Sequence, residues 1–128
     1  MTLHVAVSGG TSLIGEPLVH RLEGRGDRVT LIGRVQDAKA LKGLDAFVHL
    51  GGPGVAGKRT PEFIAQLRSA RVDDTARLVE YLAALHPVPR AFVLGSSTAF
   101  YGDRGETIVT ESAVAGAGFL AELACSSC

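Results

Sequence analysis

Cysteine is nearly missing from this chain: Cys125 and Cys128 are the only two, both within the last four residues. The core must therefore stand without a disulfide framework, and the thiol usage fits a cytosolic protein. A domain of 128 residues can manage this, since one of that size buries roughly 65–70% of its unfolded-chain surface. Net charge is missing too. Thirteen Lys+Arg stand against 13 Asp+Glu, with a pI near 6.9, which argues against a nucleic-acid binder or a protein drawn to anionic membranes. No apolar run approaches the roughly 20 residues that cross a bilayer. The opening Met1–Ser8 carries no basic segment and its apolar run stops at Gly9-Gly10, so no secretory signal is read there. Tryptophan is absent and tyrosine occurs twice, whereas glycine occurs 16 times without a period of three. That excludes collagen and points to tight turns or backbone held close to a ligand.

Periodicity predicts alternating strands and helices. Leu3–Ser8, Val29–Ile32, Ala46–Leu50 and Ala91–Leu94 are short apolar runs, each closed by glycine. Between them, Leu13–Leu22 is spaced like a helix, with Pro17 near its first turn and Gly24 and Gly26 at its end. Thr60-Pro61 reads as an N-cap and first helical residue, opening a helical stretch over Pro61–Leu85. Tyr101–Gly118 is loop-like, and Phe119–Ala124 begins another helix. Continuous apolar strands suit a parallel sheet covered on both faces, so the predicted fold is α/β, a Rossmann-like parallel sheet with flanking helices, one domain over residues 1–128.

The strongest chemical signal is Ser8-Gly9-Gly10-Thr11-Ser12-Leu13-Ile14-Gly15, between the first strand and the first helix. Dinucleotide sites need glycine there for a tight turn, for close approach to pyrophosphate, and for helix–strand packing, with the phosphate resting on free amides at the positive helix end. Gly9, Gly10, Thr11, Ser12, Leu13, Ile14 and Gly15 are therefore candidate cofactor-binding residues. Ser12 departs from a Gly-x-x-Gly-x-x-Gly spacing; its Cβ would crowd a pyrophosphate, or its hydroxyl would donate to one. At the end of the second strand stands Arg34, with no carboxylate before Asp37. A planar cation there suits the 2′-phosphate of NADP(H) over the bare ribose of NAD(H).

Several segments together resemble the extended short-chain dehydrogenase/reductase family, in its nucleoside-diphosphate-sugar epimerase-like (cell-division-inhibitor-like) subgroup. They are Val7–Gly15, Asp45–Gly52, Ala56-Gly57-Lys58-Arg59, Ser69-Ala70-Arg71-Val72, Gly95–Gly105 and Gly118–Leu123, in the expected order. The resemblance implies an NAD(P)-binding domain with hydride chemistry at a nucleotide sugar or related carbonyl compound. It places Leu50, Gly51 and Gly52 along the cofactor and matches Ser97 to the family's active-site serine, which would hydrogen-bond the reacting oxygen. It also implies a homodimer through Pro61–Leu85.

Two departures set a second reading beside this one. The family's Tyr-x-x-x-Lys pair is missing: four residues after Tyr81 and Tyr101 stand Leu85 and Gly105. The chain is also about half the family's usual length, so it reads as truncated, without a substrate-binding lobe. With only Val35–Gly43 between Arg34 and Leu44, four main strands are expected, with an exposed edge. The alternative is thus a non-catalytic dinucleotide-binding module, or an inactive piece of a larger enzyme. Cys125-Ser126-Ser127-Cys128 has a redox or zinc spacing without its context, and His4, His20, His49 and His86 show no metal spacing. His49 reads as a packed core residue. The run Arg68–Asp74 reads as a solvated helix face.

Overall fold

In a computed structural model, which describes residues 1–127, the valine-rich run after the N-terminus forms strand β1 (His4–Ser8), buried at every position. Strands β2 (Arg28–Ile32), β3 (Ala46–His49) and β4 (Ala91–Leu94) join it in one parallel sheet of order β2-β1-β3-β4. Helix α1 (Gly15–Gly24) links β1 to β2. Helices α2 (Pro61–Arg68) and α3 (Asp74–Ala83), joined by a π-helical segment at Ser69–Asp73, link β3 to β4, and α4 (Phe119–Ser127) follows. The fold is Rossmann-like, as the alternating pattern predicts.

Register explains the core. Ala6 pairs with Phe47 and Phe47 with Phe92, so these residues share one face of the sheet. On that face Ala6, Ile32 and Phe47 pack with Leu78 and Leu82 of α3. The segment after β2 supplies the rest. Where the short Val35–Gly43 stretch leaves no room for another strand, Val35–Ala40 winds into a 3-10 helix, and Ala38, Leu41 and Leu44 drop into the same core. The expected edge is present: β2 exposes Leu31, and β4 exposes Phe92 and Val93.

Local differences from the sequence reading have simple causes. Helix α1 starts two residues later than its apolar spacing implies, because Leu13 and Ile14 stand in the preceding turn, 93% and 69% exposed. Gly26, at φ +87°, adopts the left-handed conformation that stops the helix after Gly24. Thr60 caps α2 as predicted, its Oγ1 accepting the Phe63 amide at 3.2 Å. The helical stretch predicted over Pro61–Leu85 is present and runs without a gap from α2 through the π-helical segment to the end of α3 at Ala83. His4 is a satisfied core histidine, bridging the Gly43 carbonyl and Thr30 Oγ1. Cys128 lies outside the described residues, and Cys125 is exposed. Among the described residues, no helix is long and apolar enough to cross a membrane, and no His/Cys/Asp/Glu group could hold a metal ion.

Phe47 is fully buried between sheet and α3, so Phe47→Ala should lower unfolding stability by about 3–5 kcal/mol in a urea titration. Phe92→Ala, at the half-open edge, should cost clearly less.

Candidate functional site

From β1 the chain crosses to β2 on one side and, later, to β3 on the other, so the strand order reverses at β1. Open α/β sheets form a ligand crevice outside the carboxyl ends of their strands at such a point. Two adjoining clefts lie there. The first, of about 280 Å³, is walled by Gly9, Gly33, Arg34, Gly52, Pro53 and Asp74. The second, of about 330 Å³, is walled by Leu94, Ser97, Arg71, Thr75 and Leu123 among others. His49 and Gly51 border both.

The turn that ends β1 is built by close approach. A Cβ at Gly15 would run into the Gly9 carbonyl oxygen, and one at Gly9, already at φ +73°, would stand 2.7 Å from the Leu50 carbonyl carbon. Only glycine allows α1 to begin so near the sheet. Ser12 neither crowds a ligand nor offers it a hydrogen. Its hydroxyl donates to the Gly9 carbonyl at 2.7 Å and accepts the Gly15 amide at 3.1 Å, while its own amide bonds Gly9. Two amides of the predicted cradle, those of Ser12 and Gly15, are therefore consumed within the protein. Those of Gly10, Thr11, Leu13 and Ile14 make no hydrogen bond within the described residues, and Thr11 to Ile14 are exposed in the turn that continues from Gly9, which lines the first cleft. Arg34 stands exposed at the end of β2, in a loose 3.4 Å pair with Asp37.

Between the clefts, the last row of the sheet sets the chemistry. Ser8, His49 and Leu94 are register partners at the ends of β1, β3 and β4. Their side chains share a face, so Ser8 Oγ meets His49 Nδ1 in a short hydrogen bond. Ser8 Oγ also accepts the Gly51 amide at 3.2 Å, so one hydroxyl ties the imidazole to the start of the loop after β3. Burial and the Arg71 cation hold the His49 pKa below its ordinary value of 6.5, against a smaller opposing pull from Asp74. His49 is buried, as expected, but it also forms part of the cleft wall. Ser97 lies on the second cleft, and its Oγ accepts the Ala99 amide at 3.1 Å, capping the turn that follows β4. That bond uses an acceptor and leaves the hydroxyl hydrogen available.

Arg71 corrects the reading of Arg68–Asp74 as a solvated face. Its guanidinium packs on Gly52, Nη2 donates to the Pro53 carbonyl at 2.9 Å, and Nε is buried without a partner. The signal was in the spacing: Leu67, Thr75, Leu78 and Leu82 form the buried stripe of α2–α3, and Arg71 stands four residues from both Leu67 and Thr75.

A histidine kept neutral by the fold makes stability pH-dependent. The unfolded chain binds the proton more readily, so stability is fully present above 6.5 and falls as pH drops through that value toward the lowered folded pKa. His49→Gln should flatten this slope in denaturation curves taken between about pH 7.5 and 5. Arg71→Gln should raise the His49 midpoint followed by NMR, because it removes the neighbouring cation. Gly15→Ala, which forces α1 off the Gly9 carbonyl, should cost about 1–3 kcal/mol of stability.

Comparison with known proteins gives the same picture. The family model for the NAD dependent epimerase/dehydratase family matches residues 5–118. Epimerase family protein SDR39U1 of Bos taurus is 32% identical over 112 residues, covering 77% of this chain and 38% of the relative. Epimerase family protein MT2273 of Mycobacterium tuberculosis is 29% identical over 136 aligned positions, covering 93% and 44%. The crystal structure of human SDR39U1 (isoform 2) with NADPH superposes with a TM-score of 0.88 at 25% identity, over 98% of this chain and 47% of that one. A nucleoside-diphosphate sugar epimerase from Corynebacterium glutamicum superposes with a TM-score of 0.81 at 28% identity, over 99% and 30%. The chain thus spans less than half the length of these relatives. With nearly all of its described length matched in order, this chain belongs to the NAD-dependent epimerase/dehydratase family.

Proposed function

We propose that this chain binds NADP(H) across the β1–β3 crevice and is the nucleotide-binding part of an oxidoreductase that acts, epimerase- or dehydratase-like, on a nucleotide sugar or related carbonyl compound. The observation that carries the reading is the β1 turn. Its Gly9 lines a cleft bordered by the ends of β1, β2 and β3, and the four amides that follow in the turn, those of Gly10, Thr11, Leu13 and Ile14, make no bond within the described residues. Those donors fit a pyrophosphate. Gly33, with open space where a Cβ would stand, leaves room at the end of β2, and Arg34 beside it would hold a 2′-phosphate. Leu50, Gly51 and Gly52 would line the dinucleotide on the β3 side. When bound, the nicotinamide would supply a hydride acceptor or donor. This chain's part in turnover would be to orient the reacting carbonyl, with the Ser97 hydroxyl donating to its oxygen. The human relative whose structure holds NADPH supports the choice of cofactor.

One observation favours a second reading, a dinucleotide-binding module without turnover of its own. Among the described residues, the wall of the second cleft carries neither tyrosine nor lysine. Ligand titration separates the readings. NADPH should bind with measurable quenching or a raised melting temperature; if neither NADPH nor NADH binds, both readings fall. Arg34→Gln should weaken NADPH by about ten- to a hundredfold while changing NADH little, the loss expected for charge-assisted hydrogen bonds to a phosphate. Hydride exchange with nucleotide sugars then tests turnover. A homodimer through α2 and α3, whose outer face exposes Val79, is also proposed, and light scattering at twice the chain mass is its test.

A further inference from the structure

We infer that Arg71 forms an anion-binding site in the second cleft, one that takes a carboxylate or phosphate group of the ligand lying against Ser97 and Leu94. The inference deepens the proposed reading of this crevice, and it rests on four observations.

First, the guanidinium has no acidic partner within the described residues, and a single hydrogen bond to the Pro53 carbonyl is its whole protein complement. A cation half-withdrawn from water ordinarily pairs with a carboxylate, since desolvation without compensation is costly. Here Nε is buried unpaired, and Nη1 also lacks a partner. Second, the group is held in place before any ligand arrives. It lies across Gly52 (φ +139°), where a Cβ would stand only 3.0 Å from the guanidinium carbon, and the Pro53 carbonyl accepts from Nη2. A planar donor held this way suits an oxyanion.

Third, charge is distributed unevenly between the two clefts. Asp74 borders the first, along with Arg34, whereas among the described residues Arg71 is the only formally charged one on the wall of the second. Asp74 is moreover engaged with Arg77 at 3.3 Å. His49, which stands between the clefts, is kept neutral and so neither competes for the anion nor adds to its attraction. Fourth, Arg71 sits at the centre of the π-helical segment Ser69–Asp73. Such π-helical bulges in otherwise α-helical runs recur at functional sites. The Thr75 hydroxyl, donating to the Arg71 carbonyl at 2.8 Å, ties down the loosened turn.

The test follows the Arg71 side chain directly by NMR in the full chain, with inorganic phosphate as the probe. Titration of phosphate into the wild-type protein should move the Arg71 Nε–H signal saturably in the millimolar range, and the shift should persist after NADPH is added. Arg71→Gln should weaken phosphate binding by at least about tenfold, and Arg71→Lys should retain part of it. An unmoved Nε–H signal, or equal phosphate affinity in Arg71→Gln, would overturn the site. Loss of the phosphate shift on adding NADPH would overturn it as well, because Arg71 would then serve the dinucleotide. Failure of NADPH to bind while the phosphate shift remains would remove the dinucleotide reading and leave the Arg71 site standing.

Discussion

The close approach of Gly15 to the Gly9 carbonyl is the constraint on which the rest of the structure depends. Because neither residue carries a Cβ, α1 can begin directly over the end of β1. That start leaves β1 central in the sheet, with β2 on one side and β3 on the other. The same economy of atoms keeps the crevice open, since Gly51 and Gly52 bring the end of β3 equally near, with Ser8 Oγ only 3.2 Å from where a Gly51 Cβ would stand. A larger residue at any of these points would separate layers that must touch, or fill space that a ligand needs. Ser12 then braces the turn from within. Its hydroxyl joins the Gly9 carbonyl to the Gly15 amide and its own amide also bonds the Gly9 carbonyl, so the amides of Ser12 and Gly15 are removed from ligand duty. Rigidity here is obtained by spending donors, and the exposed amides that remain are those of residues the brace does not reach.

The fold was largely legible in the sequence because its strands are continuous apolar runs cut by glycine. Such runs are short enough to be strands, and the structure places all four in one parallel sheet, with β1 buried and β4 left largely exposed at the edge. The segment between β2 and β3 was legible by length alone: too short for another strand, it had to return quickly. Its 3-10 path was not legible, because Ala38, Leu41 and Leu44 follow no strict period and their burial depends on α3 lying above them. Likewise, nothing in Leu13 and Ile14 betrays that two large apolar side chains stand in solvent at the turn. Apolar spacing reads a helix from where its stripe starts, whereas the backbone starts the helix only where Gly15 can meet the Gly9 carbonyl.

The site was legible in its backbone and less so in its side chains. Glycine positions report local geometry: Gly9, Gly51 and Gly52 line the clefts, and Gly15 packs against the Gly9 carbonyl. Side chains report partners brought from a distance, and these need register. Ser8 and His49 are 41 residues apart, and only the parallel pairing of β1 with β3 makes them neighbours. Arg71 was hidden among charges of both signs. What distinguishes it from Arg68 and Arg77 is its place on the buried stripe, where neighbours four residues away are Leu67 and Thr75. A cation at a core position of an amphipathic helix is a contradiction in local pattern, and such contradictions are where functional pressure is expected to show.

Placing that cation in the wall of the second cleft also bears on how the two clefts divide their work. His49 belongs to both, and its protonation would put a second positive charge beside Arg71. Burial and Arg71 itself oppose this, and the ring nitrogen that faces β1 is already paired with Ser8 Oγ. The imidazole therefore stays a neutral polar partner for Ser8 and leaves Arg71 as the charge on the described wall of the second cleft. In the first cleft, Asp74 stands on the helix side, paired with Arg77, while Arg34 stands at the rim by β2. The two clefts thus differ in charge, the first carrying both signs and the described wall of the second the Arg71 cation alone, so that on the proposed reading the backbone amides of the β1 turn, not a side chain, would take the pyrophosphate.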